Sequence, residues 1–140
     1  MYELKEDLSI EDMIYEIRGK QVMLDCDLAK LYECKNGTKE INQAVKNNTD
    51  KFPNDFYFRL SEVELKYLRS KNLTANRKSR SLPYVFTEQG IAMLATVSHT
   101  PVAAEVSVNI MRTFVKMRKI ISSNLIEQKY INELVIKDNE

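Results

Sequence analysis

At 140 residues the chain fits one domain with enough length to bury a real core. Its 44% apolar and 29% charged content is that of an ordinary globular protein, and three glycines with three prolines leave regular structure to dominate. Two cysteines without CxxC spacing and one histidine argue against a disulfide framework and a zinc site, and no run reaches the ~18–20 apolar residues that cross a bilayer. The acidic N-terminus has no signal-peptide pattern, so the expected location is the cytoplasm.

A net charge of +1 conceals an uneven distribution. Residues 1–17 sum to −5, whereas residues 59–80 sum to +5, a basic middle that matters more for nucleic-acid contact than the total does.

Residues 1–8 are polar and read as a frayed end. Ser9, with Glu11 and Asp12 behind it, starts a short helical turn. The apolar runs Ile14–Ile17 and Gln21–Leu24 flank Arg18-Gly19-Lys20 and predict a β-hairpin whose turn sets Arg18 beside Lys20. Asp25 to Asn48 then reads as two short helices. The first runs from about Asp27 to Glu33, with Leu28, Leu31 and Tyr32 as an apolar stripe. Asp25 and Asp27 are read as helix-start acids that favour the dipole. Asn36-Gly37 suits a tight turn, and Thr38 is the expected N-cap of the second helix, whose Ile41 and Val45 face inward. Its other residues include Lys39, Asn42, Gln43, Lys46 and Asn47. Asn and Gln can pair bidentately with adenine, and Lys reaches guanine or phosphate. Helix, turn and amide-bearing helix is the outline of a helix-turn-helix reader. An ordinary helical hairpin with a solvated outer face satisfies the same pattern.

The run from Asn48 to Asp55 is expected to be loop, followed by a strand over Phe56–Leu60. Ser61-Glu62-Val63-Glu64 has the capping-box form and should start a helix with Val63, Leu65, Leu68 and Tyr67 on its inner side, ending near Lys71. Residues 72–82 hold little that can form a core and read as an exposed basic loop carrying Arg77, Lys78 and Arg80. Leu82–Thr87 returns to a strand, and the strand–helix–loop–strand unit predicts a wing-like appendage beside the helix pair. Thr87 should cap a buried helix containing Gly90, Ile91, Met93, Leu94 and Val97. Thr100-Pro101 opens a last helix of more than thirty residues, with a seam of Val102, Val106, Ile110, Phe114, Met117 and Ile121. Beyond Ile121 that seam weakens, leaving a segment that frays, pairs with a second copy or leads into a further domain.

No catalytic motif is visible, so neither an enzyme nor a bound cofactor or metal is expected. His99, at the end of an apolar helix, is read as a capping or packing residue. The aromatics of 56–58 and 84–86 alternate as core-forming strands do. Lys39, Lys46, Arg77, Lys78 and Arg80 together would neutralise about three to five phosphates, giving a log-affinity slope against log-salt of roughly −3 to −5. So few contacts make a homodimer through the C-terminal helix a useful supplement.

Four stretches carry a family resemblance. They are Ile14–Asn48, Lys51–Ser70 (KFPNDFYFRLSEVELKYLRS), Leu82–Val97 (LPYVFTEQGIAMLATV) and Asn109–Lys119 (NIMRTFVKMRK). In this order they resemble the phage and bacterial ORF-6-N domain family, a relative of the KilA-N and Bro-N domains, and LPYVFTEQGIAML is the most specific of them. The resemblance implies a DNA-binding domain of the kind found in prophage regulators, antirepressor-like proteins and large DNA viruses, usually placed N-terminal to a variable region.

The expected fold is α+β: an N-terminal β-hairpin, a helix-turn-helix-like pair, two further strands around a helix, and a long C-terminal helix. Residues 9–121 would form the domain and 122–140 a helical extension or linker. The expected function is duplex DNA binding in a prophage-type transcriptional regulator, with Lys39, Asn42 and Gln43 near base edges and Asn47 as a further contact on the same helix. Lys46, Arg18, Lys20, Arg77, Lys78 and Arg80 would hold phosphates. The competing expectation is a protein-interaction module that acts on a repressor or assembles through its last helix. No membrane partner is expected.

Overall fold

The runs Ile14–Ile17 and Lys20–Leu24 pair antiparallel as β1 and β2, with Ile17 opposite Lys20 across a two-residue turn. Both turn residues have positive φ, 56° at Arg18 and 73° at Gly19, the geometry that matches strand twist in tight hairpins. In the computed structural model, residues 9–71, 82–98 and 100–138 are described. His99, Arg77, Lys78 and Arg80 therefore lie outside the described residues, as does nearly all of the basic loop.

Strand β2 passes straight into helix α1, Asp25–Leu31, which begins two residues before the expected start. Leu24, extended at φ −73° and ψ 146°, occupies the cap position and no side chain caps the helix. The helix closes early because Glu33 takes φ 55°, and Cys34 N–H reaches the Ala29 carbonyl while Glu33 N–H reaches that of Lys30. That paired bonding satisfies the last carbonyls. Helix α2, Thr38–Lys46, starts from Gly37 and not from a Thr38 cap; Asn36 N–H donates to the Glu40 carboxylate (3.0 Å) in place of a hydroxyl cap. Ile41 and Val45 are buried against α1 as their four-residue spacing requires. Part of the expected loop after Asn48 winds into a 3-10 turn at Thr49–Lys51 and delivers Phe52 into the core.

Strand β3, Tyr57–Arg59, and strand β4, Tyr84–Thr87, are shorter than expected and pair antiparallel with each other. They do not form a wing. β4 also pairs with β2, giving one antiparallel sheet of order β1-β2-β4-β3. The physical reason lies in their composition: Val22, Met23, Leu24, Val85 and Phe86 are apolar on both sides of the pleat, so their strands must be covered on both faces. Ile14, Met23 and Phe86 face a large cluster with α1, α2 and the C-terminal helices. Val22, Leu24 and Val85 face the opposite way, toward Leu60, Leu65 and Leu68.

Those last two leucines belong to α3, Glu62–Lys71. The capping box forms as expected: Ser61 Oγ accepts from Glu64 N–H (3.2 Å) and Glu64 accepts from Ser61 N–H (2.8 Å). Its phase leaves Val63 78% and Tyr67 51% exposed, so only Leu65 and Leu68 of the expected inner side point inward. Helix α4, Glu88–Val97, is capped by Thr87, whose hydroxyl accepts from Gly90 N–H (3.3 Å). The absence of a side chain at Gly90 is required, since a Cβ there would lie 1.9 Å from the Phe56 carbonyl oxygen. Helix α5, Pro101–Asp138, is a single helix of 38 residues, capped by Thr100 through Ala103 N–H (3.1 Å). Val106, Ile110 and Phe114 are buried and Val102 and Met117 half-buried, as the seam predicts. A buried hydrogen bond of 2.7 Å between Tyr32 and Ser107 ties α1 to α5, and burial pushes the Tyr32 hydroxyl up to about 12.

Candidate nucleic-acid interface

Helix α2 has a core side and an outer side, and the chemistry is on the outer one. With Ile41 and Val45 inside, Lys39, Gln43, Lys46 and Asn47 fall on one exposed stripe at spacings of four, three and one. Gln43 Nε2 donates to Asn47 Oδ1 (2.9 Å), which fixes both side chains along the helix. Gln43 keeps one N–H and its carbonyl oxygen for an outside partner, the pair of functions that adenine recognition uses. The stripe lines a shallow groove of about 950 Å³ running from Asn36 to Asn48 and closed at one side by Val97 of α4. Residues 30–51 hold five lysines against three carboxylates, so the groove sits in a positive stretch of the chain.

Asn42 is placed differently from its neighbours. Half-buried, it directs its amide to the Asp25 carboxylate (3.5 Å), which also accepts from the backbone N–H of Tyr84 (3.2 Å). Asp25 and Asp27 are buried, at 2% and 1% exposure, in the first turn of α1. Asp25 thereby joins α1, α2 and β4, a role beyond the helix-start acid expected of it. The only signal for this in the sequence is the continuity of the apolar strand with the acid that follows it.

Arg18 is held within the fold. Its guanidinium donates to Glu64 through Nε (2.8 Å) and Nη2 (2.9 Å), donates to the Arg59 carbonyl (3.3 Å), and lies 4.3 Å above the centre of the Phe58 ring. The bidentate pair and the Ser61 contacts hold the Glu64 carboxyl at about 2, well below its usual range, against a smaller opposing effect of burial. The pair also anchors an arginine at positive φ, a conformation uncommon for residues with a side chain. Lys20 is exposed beside a small cavity whose lining includes Asp55, Glu88 and Arg118. The hairpin turn sits at the start of β2 and α1 at its end, roughly 13 Å of strand away. The structure therefore brings Lys39, Gln43, Lys46 and Asn47 together, and separates Arg18 and Lys20 from them.

The strand aromatics pack on one another: Tyr57 stacks on Phe86 at 5.8 Å and lies 5.5 Å from Tyr84, with the Arg59 guanidinium 5.3 Å from the Tyr84 ring. Burial pushes the half-buried Cys34 thiol up to about 11, with Glu40 adding to the effect, so it is a poor nucleophile. Among the described residues no three His, Cys, Asp or Glu side chains gather as metal ligands, and no helix is long and apolar enough to cross a membrane.

Residues 12–97 match the ORF6N domain. The chain belongs to the ORF6N domain family. No curated protein and no solved structure matches it. The ORF6N match takes in the whole sheet and helices α1 to α4, and ends on Val97, the last residue of α4. The outer stripe of α2, Asp25 with Asn42, and the Arg18–Glu64 pair all lie within the ORF6N portion; α5 lies beyond it.

Proposed function

We propose that this ORF6N domain binds duplex DNA as part of a prophage-type regulator, with the outer stripe of α2 as the contact surface. The observation that carries the reading is the placement of Lys39, Gln43, Lys46 and Asn47 on one exposed face, with the Gln43–Asn47 hydrogen bond already aligning the amides. Gln43 and Asn47 read base edges, and Lys39 and Lys46 hold phosphates or guanine. Arg77, Lys78 and Arg80, with Lys20 at the far end of the sheet, add phosphate contacts. Asn42 and Arg18 act through the fold: one keeps α2 against α1 and β4, the other locks the hairpin turn to α3. In the cell the protein would sit in the cytoplasm, associated with the nucleoid when bound.

The test is a fluorescence-anisotropy titration with a random duplex at ~20 mM salt, where phosphate contacts are strongest. Binding that weakens steeply as salt rises is expected. No binding at that salt would replace this reading with a protein-interaction module directed at a repressor.

A further inference from the structure

Helix α5 carries two apolar stripes, and the protein's own core covers only one. Val106, Ile110 and Phe114 point inward. On the outer side Ala104, Val108, Met111 and Val115 follow each other at spacings of four, three and four, the alternation of a coiled-coil seam; Met111, half-buried, also packs against the core and forms the floor of the stripe. Val108 and Val115 are 49% and 39% exposed. Together with Ala92, Ala95 and Thr96 of α4 this stripe walls a groove of about 620 Å³ whose surface is almost wholly apolar. The small side chains on α4 leave room for another helix to approach closely.

We propose that this groove is the contact between two copies of the chain, each laying the outer stripe of its α5 antiparallel into the other's α4–α5 groove. Charge selects this occupant. Glu105 and Arg112 flank the stripe one heptad apart with opposite signs, and both are exposed. An antiparallel two-fold register that sets Val108 against the partner's Met111, and Ala104 against the partner's Val115, also sets Glu105 against the partner's Arg112. The symmetry axis repeats that pair, so one surface satisfies itself twice. The register alternates small and large side chains across the seam, and four helices, two from each copy, enclose it. The contact lies on residues 104–115, within the part of α5 that packs on the domain, and not on the 122–140 extension.

Sedimentation velocity on the 140-residue chain from ~1 to ~100 µM is expected to show a reversible dimer. Val108→Glu with Val115→Glu, both at exposed positions of the groove, should give a monomer with an unchanged circular-dichroism spectrum. Glu105→Arg and Arg112→Glu should each weaken the dimer about tenfold by opposing like charges twice per dimer. Combining the two reversals in one chain should restore it, a result that a fold defect does not mimic. Should the apolar variant fail to fold, the charge-reversal set on exposed residues decides alone. A chain that stays monomeric over this range, or a dimer that none of the charge reversals moves, overturns the proposal.

Discussion

The outer face of α2 and Arg18 of the β1–β2 turn both present strong donors, yet only the helix leaves them available. Along α2, Lys39, Lys46 and the outward half of the Gln43–Asn47 pair face the groove. In the turn, Arg18 is half exposed, with 50% of its side-chain surface open, and still directs two nitrogens to Glu64 and its face to Phe58. Exposure therefore does not measure availability. What separates the two regions is whether the fold supplies a carboxylate within reach, and α3 supplies one to the turn through the same Glu64 that completes its capping box.

This contrast can be broken from either side. The largest effect is expected from reversing charge on the free side: Lys39→Glu with Lys46→Glu should lower duplex affinity about a hundredfold at low salt while leaving the melting temperature in place. Next is Asn42→Ala, which removes a donor from the buried Asp25; a loss of about 1 kcal/mol in denaturant stability is expected, with an unaltered salt slope. Gln43→Ala should do the reverse, keeping stability and reducing discrimination between duplex sequences about fivefold, as competition titrations would show. The smallest effect concerns the locked side. Because the Glu64 carboxyl titrates lower in the folded chain than its ordinary 4.5, its contribution to stability is full above that value and fades as pH falls toward about 2. Melting curves of Glu64→Gln and the parent chain should therefore converge on acidification and stay apart at neutral pH.

Local signals in the sequence carried most of the elements. Ser61 with Glu64, Thr87 with Gly90, and Thr100 before Pro101 each marked a helix start that forms with the expected hydrogen bonds. Two apolar runs on either side of Gly19 marked the hairpin and its turn. Most of the relations that failed to show were long-range ones. β4 pairs with β2 across more than sixty residues, so strands expected in a wing instead complete the sheet. Thr38 was a reasonable cap, but Glu40 reaching back to Asn36 removed the need for one. In the candidate site, spacing was enough to place Lys39, Gln43, Lys46 and Asn47 together. It was not enough to set Asn42 apart, because its partner Asp25 is seventeen positions away and comes from the preceding helix. Nor could it show that Arg18 meets Glu64, forty-six positions on.

The central claim, that α2 presents the DNA-contacting face, is tested most directly by the salt dependence of duplex binding for the parent chain and for Lys39→Ala with Lys46→Ala. Each lysine that holds a phosphate adds about one to the slope of log affinity against log salt, so the double variant should bind about tenfold more weakly with a slope shallower by about two. Identical slopes and affinities for the two proteins would contradict the assignment of the interface to α2.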